Sequence, residues 1–98
     1  MVVVDRNWRR RSGEIDIVAR EGGVLVVCEV KTRTGTAYEH PCAAVDEAKV
    51  RRLAHLAELW QLAHPAERPP SGEVRIDLVT VTLNQAGPPT VEHVRGIS

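Results

Sequence analysis

Polar and apolar residues alternate along 14–20 (EIDIVAR) and again along 24–33 (VLVVCEVKTR), with Glu21-Gly22-Gly23 between the two runs. A period of two marks a strand, and paired glycines between β-rich runs mark a hairpin turn. Residues 34–41 (TGTAYEHP) read as a loop ending at Pro41, and residues 42–63 carry helical periodicity. His64–Gly72 holds three prolines and reads as a loop. Residues 74–83 (VRIDLVTVTL) form a third strand, 84–89 a turn and 90–94 a short last strand. The predicted order is strand, strand, helix, strand, strand. That is a small mixed sheet with one main helix packed on it, an α/β fold.

The hairpin places charges where apolar side chains are expected. By alternation Glu14, Asp16 and Val18 share one face of the first strand, and Ile15, Ile17 and Ala19 take the other. On the second, Leu25, Val27, Glu29, Lys31 and Arg33 share a face opposite Val24, Val26, Cys28 and Val30. A two-residue Gly22-Gly23 turn sets Asp16 opposite Glu29 and Glu14 opposite Lys31. Facing carboxylates lie ~5 Å apart at Cβ. At that distance two charges repel by ~3 kcal/mol at an effective dielectric of about 20.

A divalent cation between Asp16 and Glu29 reverses that sign. Magnesium, or manganese, suits oxygen ligands: carboxylates, waters and a substrate phosphate. The Val30 carbonyl is a further candidate ligand. Asp followed by Glu-x-Lys suits phosphodiester hydrolysis, since a metal binds the phosphate and lowers the pKa of a water. Lys31 would orient that water or stabilise developing negative charge. A plainer reading stands beside this one. The spacing alone is a weak pattern, charged hairpin faces are ordinary, and Glu14–Lys31 would then be a cross-strand ion pair.

On the predicted helix Val45, Leu53, Leu56, Trp60 and Ala63 form one stripe, with Lys49 at its centre. Either Lys49 snorkels to solvent, or the first turns border the acidic cluster and Lys49 contacts a phosphate or a carboxylate.

Ninety-eight residues make one domain, 1–98, and a chain this short feels each buried charge. Acidic and basic residues cancel, so net charge does not indicate a nucleic-acid partner; their distribution says more. Arg6, Arg9, Arg10 and Arg11 crowd the start, and Lys49, Arg51 and Arg52 crowd the helix. Cys28 and Cys42 do not make a disulfide framework, and the histidines at 40, 55, 64 and 93 lack zinc-like spacing. No signal peptide or membrane span is legible, so a soluble, cytoplasmic protein is expected.

The run RNWRRRSGEIDIVARE, then LVVCEVKTR, AVDEAKVRRL and VRIDLVTV, resembles the YraN-like family of bacterial proteins. That family is similar to archaeal Holliday-junction resolvases, within the PD-(D/E)xK nuclease superfamily. The match covers most of the chain, from about Arg6 to the last strand. The resemblance implies a restriction-endonuclease-like sheet flanked by helices. It makes Asp16 the metal-binding aspartate and Glu29 and Lys31 the Glu-x-Lys pair, with Lys49 a basic position on the next helix. The roles of Glu14 and Asp77 stay open. The resemblance further implies DNA as substrate, branched DNA included, and a homodimer. Arg6, Arg9, Arg10, Arg11 and Arg33 are then the candidates for contacting the nucleic-acid backbone. Trp8 would stack on a base or, the favoured reading, sit half-buried in the core.

One departure is expected to matter. Resolvase-like relatives begin with a helix that adds an acidic residue to the metal site; these residues start almost directly at RNWR, and Asp5 is a poor substitute. That helix is therefore expected to lie upstream, to have been cut away or to come from a partner subunit, and an inactive 98-residue form is one expectation. Loss of the helix would uncover apolar sheet surface and favour dimerisation. Two alternatives to a nuclease follow: a catalytically inactive DNA-binding or assembly module on the same scaffold, and a structural hairpin whose charges keep an edge soluble.

Overall fold

The computed structural model describes residues 1–34 and 46–97. The expected loop from Gly35 onward, Cys42 and the expected first helical residues to Val45 lie outside the described residues. Five strands, β1 (Val2–Arg10), β2 (Gly13–Glu21), β3 (Val24–Thr34), β4 (Val74–Leu83) and β5 (Thr90–Val94), lie side by side in chain order. β1, β2 and β3 form an antiparallel meander, β3 and β4 pair in parallel, and β5 returns antiparallel to β4. The parallel pair requires a crossover, and helix α1 (Glu47–Ala63) lies within it. The result is the mixed α/β sheet with one main helix that the sequence pattern predicts.

β1 was not anticipated. The sequence pattern assigns no element to the segment around RNWRRR, yet it is a nine-residue edge strand paired with β2. Its sequence shows no period of two, and its main-chain bonds to β2 are what make it a strand.

The hairpin register is the expected one, from Glu21↔Val24 to Ile17↔Cys28, and Gly22 takes the left-handed conformation (φ 59°) that the tight turn requires. Beyond Cys28 the β2–β3 ladder stops, while β3 stays paired with β4 as far as Thr34. On the other side of β2, Asn7 is left-handed (φ 50°) between the pairs Arg6↔Ile17 and Trp8↔Ile15. The sheet therefore opens around Asp16. The strict alternation expected for β2 fails at the same place: Ile15 and Val18, expected on opposite faces, both join the core under α1.

That core holds Leu53, Leu56, Ala57 and Trp60 of α1 against Ile15, Val18, Leu25, Val27 and Ile76. Ala63, expected on the stripe, is exposed in the last turn, and Gln61 is buried instead, donating to the Ala57 carbonyl at 3.2 Å. Asp46 caps α1 by accepting the Lys49 N–H at 2.9 Å. Gly13 (φ 144°) lets the helix approach; a Cβ there would meet Arg52 Cδ and Leu56 Cδ1 at 3.3 Å. Trp8 is half-buried against this core, the favoured of its two readings, with the Arg10 guanidinium 4.1 Å from its ring centroid. Among the described residues no helix is long and apolar enough to cross a membrane.

The aspartate of VRID, Asp77, is fully buried and saturated. Arg75 donates to both of its oxygens at 2.8 and 3.0 Å, His93 Nε2 lies 2.7 Å from Oδ2, and the Gly96 amide donates to Oδ1 at 3.0 Å. Arg75 also reaches Glu21 at 2.9 Å. Asp77 thus ties β2, β4, β5 and the C-terminal segment together, a structural role. Burial alone would raise its pKa; Arg75, the Gly96 amide and His93 outweigh that and hold it below the ordinary value. A carboxylate with a depressed folded pKa stabilises the fold above its unfolded value of about 3.9, and that contribution fades as pH falls. Urea titrations should therefore show Asp77→Ala losing roughly 3–5 kcal/mol at neutral pH. The gap to wild type should narrow under acid; an equal gap at all pH values would contradict this role.

Candidate active site

The opening of the sheet at Asp16 builds a cleft. Its carboxylate accepts the Val30 N–H at 2.8 Å (Oδ2), taking the place of a ladder acceptor just past the last β2–β3 pair. Glu14, Asp16 and Glu29 line one side of a cleft of about 170 Å³, and Lys49, Arg52, Leu53 and Leu56 of α1 line the other. Pockets for drug-sized ligands run ~300–1,000 Å³, so this one suits an ion and a phosphate group better than an organic substrate.

Glu29 is 8% exposed and lies between two cations. Lys49 Nζ sits 2.9 Å from its Oε1 and Lys31 Nζ 3.8 Å from the same oxygen. These are the chain's only two lysines, against eleven arginines. The helix stripe thus carries Lys49 into the acidic cluster, and the contact is with a carboxylate. Glu29 holds Lys49 above the ordinary lysine pKa, whereas the adjacent Lys49 holds Lys31 below it. Of the two, Lys49 is the fixed cation and Lys31 the one that yields a proton more readily.

Asp16 is the strained member. Burial raises its pKa first, and the neighbouring Glu29 and Glu14 add to this against the Val30 hydrogen bond. Glu14 moves the opposite way. Arg9, directly across on β1, pairs with it, and a hydrogen bond from Asp16 lowers its pKa further. The two carboxyl groups are therefore pushed apart, Asp16 upward and Glu14 downward. The expected Glu14–Lys31 cross-strand pair does not form: the ladder has already opened there, and each residue has a nearer partner.

Asp16, Glu29, Lys31 and Lys49 are thus gathered at one place, with the Val30 amide beside them. The arginines are more scattered. Arg9 is tied to Glu14 and Arg10 lies over Trp8, while Arg6 and Arg11 are exposed at or just beyond the edge strand. Arg33 is half-buried near the end of β3. Asp5 is engaged elsewhere, accepting from Trp60 Nε1 at 2.8 Å, and His64 stacks on Trp60 at 4.3 Å. Cys28 is buried and free, its thiol pushed up to about 11 chiefly by burial, so it is an inert core residue. The sequence reading missed two contributors, Arg52 on the cleft wall and Gly13 beneath it. The Ser-Gly ahead of EID was the available signal, as a glycine at a close backbone approach.

Fold and cleft define a small mixed α/β protein with a lysine-lined acidic cleft on its hairpin. The chain belongs to the family described as Uncharacterised protein family UPF0102, whose model matches residues 1–81. It is 61% identical over its whole length to a UPF0102 protein of Streptomyces coelicolor, covering 75% of that protein. It is likewise 56% identical over its whole length to one of Streptomyces griseus, covering 81% of that protein, and 46% identical over 98% of its length to one of Acidothermus cellulolyticus, covering 78%.

Crowding of acids has a measurable consequence. A carboxyl whose folded pKa is raised costs stability progressively as pH rises through that range. Asp16→Asn removes the charge and keeps an acceptor for Val30. In metal-free buffer at neutral pH it should stabilise the fold by about 0.5–2 kcal/mol, a gain that vanishes in acid. Thermal melts against pH read this directly; a destabilised Asp16→Asn at neutral pH would mean the cleft is not electrostatically strained.

Proposed function

We propose that this protein is a metal-dependent endonuclease that hydrolyses DNA phosphodiester bonds. The observation that carries the reading is that Asp16, Glu29 and Lys49 line one small cleft and that both lysines of the chain reach the same Glu29 oxygen. Lysine is a compact charge able to change protonation, whereas arginine stays charged at all working pH values. A chain that uses arginine at eleven of its thirteen basic positions keeps lysine at these two. The likeness to archaeal Holliday-junction resolvases and the PD-(D/E)xK superfamily belongs to the same proposal, as do branched DNA and a homodimer that presents two sites.

The donor set fits a hard divalent cation. Asp16 and Glu29 offer carboxylate oxygens beside the Val30 backbone, and burial with the neighbouring acids raises the Asp16 pKa, a crowding that a cation would relieve. Among the described residues no three His, Cys, Asp or Glu side chains form a complete cage. Two carboxylates, with water and phosphate completing the shell, is a usual magnesium arrangement, and manganese accepts the same donors. Asp16 and Glu29 would hold the ion, with the Val30 carbonyl as a third ligand. When bound, the ion supplies an activated water and a counter-charge for the phosphate. Lys31, partly exposed beside Glu29, orients the attacking water and hydrogen-bonds the phosphate oxygens as charge develops. Lys49 and Arg52 face the phosphate from α1, and the β1 arginines with Arg33 steer the strand.

One observation favours the second reading, a non-catalytic DNA-binding or assembly module. Lys49 and Arg9 already neutralise Glu29 and Glu14 within the protein.

The test is cleavage of linear and four-way-junction DNA by this chain and by the Streptomyces coelicolor relative, with magnesium or with chelator. Metal-dependent cutting is expected, reduced about 100-fold or more in Asp16→Asn, Glu29→Gln and Lys31→Ala. Cutting that survives in Asp16→Asn and Lys31→Ala removes the assignment. DNA binding without cleavage or metal dependence selects the module.

A further inference from the structure

We infer that Lys49 is a resident counter-ion that a divalent metal must displace from Glu29. The inference rests on the metal reading above. Glu29 Oε1 is the meeting point: Lys49 approaches it at 2.9 Å and Lys31 at 3.8 Å. A magnesium ion bonds such an oxygen at ~2.1 Å, and an ammonium on the same oxygen would stand against it as a second positive charge beside a largely buried carboxylate. Lys31 does not have to move far, being more exposed and only loosely engaged. Lys49 has its direct contact to lose.

The position of Lys49 makes that exchange feasible. It lies in the first turn of α1, three residues after the cap Asp46, where the helix presents unsatisfied N–H groups and positive potential. A cation is disfavoured there, and Glu29 is what holds it. The cap fixes only the backbone of Lys49, through the 2.9 Å bond to its N–H. The four-carbon stem remains able to swing. Once freed, the ammonium still lines the cleft, and an incoming phosphate would give it a partner. Metal and phosphate should therefore bind with positive coupling. The metal frees Lys49, and the phosphate gives it a new partner.

Two measurements test this. Because the chain has two lysines, amine acetylation read by mass spectrometry reports each one separately in the wild-type protein. Lys49 should label slowly without metal and several-fold faster at saturating magnesium; unchanged or slower labelling overturns the proposal. Calorimetric or spin-resonance titration with manganese supplies the second readout. Lys49→Met should bind manganese roughly tenfold tighter than wild type, since the competitor is gone. Equal or weaker binding overturns the proposal, provided wild type binds manganese and Asp16→Asn does not. If wild type and Asp16→Asn bind alike, or neither binds, the metal reading itself fails and this inference falls with it.

Discussion

The cleft depends on one hydrogen bond, from the Val30 amide to the Asp16 carboxylate. An antiparallel pair normally satisfies that amide with a backbone carbonyl, and the side chains then stand out on the two faces. Here a side chain does the work of the backbone. The β2–β3 ladder can stop at Ile17 and Cys28 without leaving a donor unmet. β2 is released from strict alternation, Ile15 turns into the core, and Glu14 and Asp16 are delivered to the same side as Glu29. On the outer side, left-handed Asn7 completes the opening. Asparagine tolerates that conformation better than most residues.

The same fold handles a buried acid, Asp77, and a half-buried one, Asp16, in two opposite ways. Asp77 is surrounded by donors from Arg75, His93 and Gly96, which makes it a fully compensated structural charge. Asp16 receives one backbone N–H and has two carboxylates for neighbours. Asp77 lies where strands and the C-terminal segment must be fastened, and Asp16 lies at the mouth of a cleft. Strain is tolerated where something from outside can relieve it, and such concentration of perturbed groups is characteristic of functional sites. Glu29 falls between the two cases, compensated by lysines that are themselves movable.

Helix α1 links core and cleft. Leu53, Leu56 and Trp60 fix its height above the sheet, Gly13 sets how closely it approaches β2, and the Asp46 cap sets where it begins. Those three constraints put Lys49 and Arg52 on the cleft wall. A change in any of them would move both cations relative to the acids, although none of these residues except Leu53 and Leu56 lines the cleft. Packing and electrostatics are therefore coupled through one rigid element.

Alternation, the glycine turn and helical periodicity were enough to assign β2, β3, α1, β4 and β5 from the chain, with the hairpin register and the nearness of Asp16, Glu29 and Lys31, while Lys49 stood open between solvent and the acidic cluster. These features are local, or follow from a two-residue turn that leaves one way to pair two strands. β1 was not legible, because RNWRRR carries no period of two and only its main-chain bonds to β2 make it a strand. Nor was the break in the ladder at Asp16, the transfer of Glu14 from Lys31 to Arg9, or the saturation of Asp77. Each of these depends on which donor arrives first in three dimensions from a distant part of the chain. The sequence by itself determined which charges share a hairpin. Only the tertiary structure decided how each is neutralised, because a charge pairs with the nearest opposite charge in space, wherever that lies along the chain.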